Sequence, residues 1–511
     1  MSVEGYIGID AGTQGLTAVF TDRDMRVLAS GDGHYEMLPG LPAGCYEQRP
    51  EDWEAALSAA MASLRSELDR KHPGWRVRAI GISAQMHGEV IADEAGRSVG
   101  PARLWCDSRN EAEAHELTRA LNVKMPKRLT ATRWLWTLRN RPELANRAAH
   151  LTTPGGWLAY RLTGRWTLGI GDAAGMFPID QATLNYSQQA LATYRSIAPA
   201  GAPPIEKLLP IPLRAGEDAG ALNSVGARLT GLPEGIPVAP AEGDQPAALA
   251  GSLIGEAGMV SLSLGTSICA NAVGDRPFKG VHAAIDHFCA PDGKPINMVW
   301  LRNGTTFLNT VIDLLGSALD KRSARFGAIM PELLNAAPDC GGVAALPFLD
   351  DEPGLGVGRG GLALLAGLTA ANASRGNLAK AALLATLYNL RNGIEALDAQ
   401  GFPRTRLILS GGLLRTPEIG QIVADVLNTP AAILESASEG CAWGAALLAK
   451  YRDVRLQGDT RTWASFLEDH STGHSIEFKP KPDTAAAYSV GYRKHRKLLE
   501  IVSNLDAALA D

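Results

Sequence analysis

A chain of 511 residues is longer than one hydrophobic core comfortably organises, and it predicts two large domains. Its 46% hydrophobic and 20% charged residues are ordinary for a globular protein, and a net charge of -5 offers no basic footprint for nucleic acid. No run of about 18 apolar residues lacks a charge or turn former, and MSVEGYIGIDAG has no leader pattern, so the expectation is a cytoplasmic protein without a membrane span. Six cysteines without C-x-x-C spacing predict reduced, mostly buried thiols rather than disulfides or a zinc site.

In chain order, the pattern opens with a strand over Tyr6–Ala11, a turn at Gly12–Gly15, a strand over Leu16–Thr21 and a third after Asp22–Asp24. A helix follows at Pro50–Arg70 and a strand at Val77–Ser83, the alternation of an α/β fold. Helical stretches recur at Glu111–Leu121, Trp134–Leu144 and Trp157–Leu162. Proline and glycine then crowd the region from Pro203 to Gly243 and lead into a short buried strand. A domain break is expected near Gly243–Gly255, dividing the chain into 1–246 and 247–511.

The second half restarts with strand, turn and strand. VSLSLGTSICANAV, from Val260, echoes IGIDAGTQGLTAVF, from Ile7, and Gly12 and Thr13 align with Gly265 and Thr266 at a constant offset of 253 residues. Beyond it come a helix at Leu378–Gln400, a strand at Arg406–Ser410, the turn Gly411-Gly412, and helices at Pro417–Leu427 and Glu439–Lys450. The tail ends in an amphipathic helix from Ser489 to Ala510.

Glycine between two strands lets the backbone approach a ligand closely, and neighbouring hydroxyl or amide groups add donors for phosphate oxygens. Either turn alone reads equally as an ordinary hairpin; their duplication favours two grips on one nucleotide. The two turns follow neither the Walker nor the dinucleotide-binding glycine spacing. Asp10, ending the first strand, could hold Mg2+ beside phosphates or cap its turn. Gly411-Gly412 suits either close approach of a base or ribose or a helix-entry turn. Asp244, between a strand and a helix start, is a candidate base that could equally be an N-cap. Met86 and His87 leave the carboxyl end of a strand, where α/β proteins bind ligands, although a lone histidine is more often a hydrogen-bonded structural residue. Trp105, Asp107 and Arg109 form a set that suits a polyol but is also common on any surface.

Taken together and in order, IGIDAGTQG, GCYEQRPEDW, GISAQMHG, LWCDSR, EGDQPAA, SLSLGTSI, GRGGLALLAGLT, LILSGGLLRTPEIGQIVADVLNTP and EGCAWGAALLA resemble the FGGY family of carbohydrate kinases, nearest to its xylulokinase members. The resemblance implies a duplicated ribonuclease H-like fold, shared with actin, hexokinase and the Hsp70 ATPase module, with ATP and sugar in the cleft between two domains. It implies that Gly12, Thr13, Gln14, Gly265, Thr266 and Ser267 face phosphates, with Asp10 near Mg2+. Gly411 and Gly412 match the adenosine turn and Asp244 the catalytic base. Met86, His87, Trp105, Asp107, Arg109 and Gln245 fall where the sugar site is expected. Gly243-Asp-Gln-Pro-Ala247 departs from the xylulokinase G-D-N-A-A, and Arg133 stands where the family's first signature often has lysine.

The implied activity is ATP-dependent phosphorylation of a terminal hydroxyl of a small ketose, xylulose first. Ribulose, L-xylulose, a heptulose, erythritol or glycerol remain open as acceptors, as does a non-catalytic nucleotide switch of the actin or Hsp70 type. Related kinases are frequently dimers, so a homodimer is carried as an expectation, although no apolar stripe in the sequence specifies one.

Overall fold

A computed structural model of the chain describes residues 3–434, 440–470 and 475–508 and contains two mixed β-sheets. In the first, β1 (Glu4–Ala11), β2 (Gly15–Asp22) and β3 (Val27–His34) form an antiparallel meander. Two strands extend it in parallel, β4 (Arg76–Ala84) and β5 (Glu242–Gly243), in the order β5-β4-β1-β2-β3.

The second sheet repeats that plan. Its antiparallel strands are β6 (Met259–Leu264), β7 (Ile268–Val273), β8 (Ile285–Cys289) and β9 (Pro295–Leu301), with β7 paired to β9 and β8 added outside β9 as an edge strand. Parallel extensions β10 (Arg406–Ser410) and β11 (Ala431–Leu434), with the edge strand β12 (Ser475–Phe478), complete the order β8-β9-β7-β6-β10-β11-β12. This is the two-domain actin-like α/β architecture expected from the sequence.

Helices fill corresponding places in the two halves: α1 (Pro50–Lys71) and α3 (Arg375–Asp398) each lead into the first parallel strand, while α2 (Asp244–Gly251) and α4 (Gly440–Leu456) each follow the second. The sequence starts α1 with Pro50, Glu51 and Asp52 and ends it with Arg70 and Lys71, charges that complement the helix dipole. Its buried face runs Trp53, Leu57, Met61, Leu64, Leu68, three or four residues apart. In α3, the Ser374 hydroxyl caps the first turn by accepting from Asn377 N at 3.2 Å.

The largest cores each draw on one half of the chain, from Ile7 to Ala241 and from Val260 to Tyr492. The halves meet through α4, which lies against the first sheet and α2. Glycines permit that approach: a Cβ on Gly8 would stand 1.8 Å from Ala442 O, one on Gly81 1.9 Å from Ala445 O, and one on Gly444 2.0 Å from Ala247 O. Tyr6, Ala79 and Ala250 pack there with Trp443, Leu447, Tyr451 and Phe466. Asp453 anchors the far end, accepting from Tyr6 Oη at 3.1 Å and Arg78 Nη2 at 3.1 Å.

Several boundaries differ from the sequence expectation. The helix expected at Trp134–Leu144 runs Thr130–Asn140, and Pro142 begins a separate turn because it cannot donate to a continuing helix. The helix expected at Trp157–Leu162 starts at Pro154, capped by Thr153. The final helix begins at Pro482 rather than Ser489, and the helix expected from Glu439 is seen from Gly440. Glu439 and Ala510, the expected ends of two helices, lie outside the described residues. No cysteine pairs with another; only Cys289 and Cys340 are buried, so the thiols are less hidden than expected. Among the described residues no helix is long and apolar enough to cross a membrane.

Candidate active site

The first hairpin turn closes with Gly12 N donating to Gly15 O at 2.9 Å, and the Tyr35 hydroxyl lies 2.5 Å from Gly12 O. Gln48 Nε2 donates to Thr13 O at 2.8 Å, and Gln48 Oε1 accepts from Trp53 Nε1 at 3.0 Å and Gln85 Nε2 at 2.9 Å. Trp105 reaches the same turn, its Nε1 donating to Thr13 Oγ1 at 3.1 Å. Gln14 is exposed at the tip. Tyr35, Gln48 and Gln85 thus hold the turn from beneath, a role that local pattern did not mark; two of them sit inside the GCYEQRPEDW and GISAQMHG stretches.

The second turn also closes through a glycine N–H but is one residue shorter, with Gly265 N donating to Ser267 O at 3.1 Å and Thr266 exposed. It is braced by Gly304 N to Thr266 O at 2.9 Å and Thr305 N to Gly265 O at 2.9 Å. Gly304 was not singled out from the sequence. A Cβ there would lie 2.5 Å from both Gly265 O and Thr266 O; its one sequence signal is a glycine between a strand and a helix. Gly411, at φ 105°, presses on the strand feeding this turn, where a Cβ would meet Leu264 O at 2.6 Å. Gly412 is exposed, and a Cβ on it would meet nothing within 4 Å.

Strand register brings the carboxylates together. Asp10 pairs with Ser83, and Ser83 with Glu242, so β1, β4 and β5 end side by side and α2 begins there with Asp244. Ser83 Oγ donates to Asp10 Oδ1 at 2.7 Å. Burial raises the Asp10 carboxyl above its ordinary range, against the Ser83 bond. Burial, then the charge of Asp10, pushes Asp244 up to about 7, while N–H groups of Gln245 and Met86 and the charge of Arg128 oppose the rise. Among the described residues no cluster of three or more metal-binding side chains occurs. The single carboxylate Asp10, with an oxygen left over from Ser83, fits a hard cation held mostly by phosphate and water.

Two further carboxylates line this end of the sheet and escaped sequence reasoning. Asp172 is fully buried; its Oδ2 accepts from Thr153 Oγ1 at 2.6 Å, and its Oδ1 is unpartnered among the described residues. Burial raises it to about 7, with the charge of Asp244 adding to the shift. Glu242, also buried, accepts from Asp172 N at 2.9 Å and Gly171 N at 3.3 Å.

Met86 is buried against Gly243, where a Cβ would stand 2.0 Å from Met86 Cγ. His87 takes the left-handed backbone conformation, φ 67°, and its Nδ1 lies 3.0 Å from Gly175 O. Burial, then Arg128, keeps this imidazole neutral at pH 7. Nδ1 therefore carries the proton donated to Gly175 O, and Nε2 is left as an acceptor.

Asp107 and Arg109 spend their charges on each other. Asp107 is fully buried and accepts from Tyr46 N at 3.0 Å and Arg109 Nε at 3.0 Å; Arg109 Nη2 also reaches Glu47 at 2.6 Å. Burial opposes the Asp107 charge, but Arg109 and the N–H groups outweigh it and hold the carboxyl below its usual range. Buried Arg133 donates to Trp105 O at 2.8 Å and Asp107 O at 3.2 Å, fixing the loop that carries Trp105. Gln245 Oε1 accepts from Asn271 Nδ2 on β7 at 3.1 Å, so the start of α2 touches the strand that follows the second hairpin.

The arrangement thus sets two glycine turns and a pair of carboxylates around the start of α2. Models of the "FGGY family of carbohydrate kinases" match the chain, the N-terminal domain at residues 5–251 and the C-terminal domain at 260–452. The chain is 31% identical over 456 residues to a xylulose kinase of Streptomyces coelicolor, covering 86% of both proteins. It is 27% identical over 463 residues to a xylulose kinase of Haemophilus influenzae, covering 87% of this chain and 90% of the relative. The fold is similar to the crystal structure of xylulose kinase from Rhodospirillum rubrum, with TM-score 0.83, 22% identity and 98% and 99% of the two chains covered.

Proposed function

Because the chain belongs to the FGGY family of carbohydrate kinases, and so is an ATP-dependent phosphotransferase acting on a sugar hydroxyl, we propose that its acceptor is a small ketose phosphorylated at a terminal hydroxyl, with xylulose the first candidate and Asp244 the base. The observation that carries this is the paired placement of Asp10 and Asp244 at adjoining strand ends, with Asp244 raised to about 7. A carboxylate with that affinity for protons is a stronger base than one in water and is still ionised in part at neutral pH. The relatives that carry the name xylulose kinase support the choice of sugar.

In this reading Asp244 accepts the proton of the terminal hydroxyl as the sugar oxygen bonds to the γ-phosphorus. The bond from that phosphorus to the β–γ bridging oxygen breaks, and ADP leaves with the electron pair. In the turns at Gly12–Gln14 and Gly265–Ser267 the backbone N–H groups of Thr13, Gln14, Thr266 and Ser267 hold the phosphates in line, and Gly411-Gly412 gives the adenosine a flat approach. Asp10 would hold Mg2+, which when bound supplies positive charge to the phosphate oxygens. On the sugar side, His87 Nε2 accepts a hydrogen bond from a sugar hydroxyl, Met86 and Trp105 supply apolar faces, and Asp107 and Arg109 act by shaping the Trp105 loop. Gln245 contributes by tying the base to the second half. The boundary between the two functional units is placed near residue 246, just after the base.

Asp244→Asn tests the base directly. Sugar-dependent turnover should fall by roughly 10²- to 10⁴-fold with ATP affinity retained; near-normal turnover would remove Asp244 from the role.

A further inference from the structure

We propose that Arg128 is a sugar-contacting, specificity-determining residue and that Asp286, from the opposite half of the chain, positions it; this rests on the ketose-kinase reading above. Arg128 and Lys124 lie between the helices Glu111–Leu121 and Thr130–Asn140 of the first half, whereas Asp286 lies on β8, the edge of the second sheet. Arg128 Nη2 pairs with Asp286 Oδ2, and Lys124 Nζ lies 2.8 Å from Asp286 Oδ1. Asp286 is only 5% exposed. A carboxylate of one half is therefore enclosed by an arginine and a lysine of the other, and removing one partner of such a buried group leaves the rest uncompensated.

The backbone of Arg128 is tied to the sugar-facing set. Arg133 Nη1 donates to Arg128 O while its Nη2 donates to Trp105 O at 2.8 Å, so one buried guanidinium fixes both segments. Two residues on, Thr130 Oγ1 donates to Gly88 O at 2.6 Å, next to His87. The side chain faces the same space: Arg128 acts electrostatically on His87, Asp244 and Cys269.

What distinguishes Arg128 from the other arginines nearby is spare capacity. Arg103, Arg109 and Arg133 each direct two of their three guanidinium nitrogens at protein acceptors, and the nitrogen left over in Arg103 (Nη1) and Arg133 (Nε) is buried. Arg128 remains 21% exposed, and beyond Nη2 its donors have no hydrogen-bond partner among the described residues. A guanidinium carries five N–H donors in a fixed fork, suited to two adjacent oxygen acceptors. A ketose offers such a pair in its carbonyl and the hydroxyl beside it. His87 Nε2 and Asp244 are acceptors, so Arg128 supplies the donor that this wall otherwise lacks. Because its tether crosses to the second half, the donor is aimed only when the two halves are together.

The test is steady-state kinetics of Arg128→Ala, Arg128→Lys, Asp286→Asn and the double variant Arg128→Ala/Asp286→Asn, each with an unfolding midpoint to confirm folding. Arg128→Ala should raise the ketose KM by roughly tenfold or more, with the ATP KM within about twofold of wild type. Arg128→Lys, which keeps charge but loses the fork, should fall between. Asp286→Asn should raise the ketose KM less, and the double variant should be no worse than Arg128→Ala alone. Millimolar guanidinium ion should restore part of kcat/KM to Arg128→Ala and none to Asp286→Asn. A ketose KM within about twofold of wild type in Arg128→Ala, or equal rises in both KM values, would overturn the proposal. If the wild type turns over no ketose, the ketose reading has failed separately. Calorimetric titration of the sugar panel into wild type and Arg128→Lys without nucleotide then judges Arg128 alone: weaker binding in the variant upholds it, and equal or absent binding in both refutes it.

Discussion

The two halves share a backbone plan and divide the chemistry. At the hairpin, Asp10 in the first half corresponds, at the 253-residue offset, to Ser263 in the second. Both turns close through a glycine N–H and both end a strand of the same topology. Only the first places a carboxylate there and gathers Asp172, Glu242 and Asp244 around it. After the first parallel strand the contrast recurs: β4 is followed by the side chains Gln85, Met86 and His87, β10 by the bare backbone of Gly411-Gly412. The two halves thus carry matching glycine turns, but the strand before the turn ends with a carboxylate at Asp10 in one and a hydroxyl at Ser263 in the other.

The largest expected effect separates that pair. Asp10→Asn should lower turnover by roughly 10²-fold or more, since it removes the carboxylate proposed to hold the cation, while Ser263→Ala should change turnover by less than about threefold. Steady-state rates at saturating ATP and sugar compare the two, and equal losses would break the asymmetry.

The glycines sharpen the comparison by stability. Gly444→Ala, whose Cβ meets backbone at 2.0 Å, should cost roughly 1–3 kcal/mol, whereas Gly412→Ala, with open space around it, should leave the denaturation midpoint unchanged. Urea unfolding of the two variants reads the difference.

A smaller effect is electrostatic. Asp244 must be ionised to accept a proton, and its carboxyl sits at about 7, so kcat/KM for the sugar should rise with pH through that region. Because Asp10 is the second cause of the elevation, residual activity in Asp10→Asn should show that limb displaced to lower pH. An unmoved limb would mean that Asp244 does not sense Asp10.

The least effect concerns folding. Asp172, raised to about 7 when folded and ordinary when unfolded, binds more protons in the folded state between those values. Its contribution to stability is therefore lost as pH rises through that window, and Asp172→Asn should reduce the difference in unfolding midpoint between pH 5 and pH 8.

The strands and turns were legible because glycine, alternation and strand length are local signals, as in IGIDAGTQG and its echo. The helix over Thr130–Asn140 was displaced because Leu129–Thr132 carries no sequence cap and is fixed by distant contacts such as Thr130 with Gly88. Asp172 and Glu242 were illegible because no local pattern marks a buried carboxylate; only the packing of segment 169–175 on β5 brings them together. Asp107 and Arg109 stood out as a polar set suited to a polyol, yet their charges are taken up by each other and by Glu47. Arg128 lay in a surface-like basic run, and only its partner 158 residues away gives it a distinct position.

The most direct measurement is ADP release with Mg-ATP across D- and L-ketopentoses, ketohexoses, heptuloses and polyols, with a no-sugar control. The account predicts a low basal rate and a large increase with one small ketose, xylulose foremost. Stimulation by glycerol or erythritol alone, or by no sugar while ATP still binds, would contradict it.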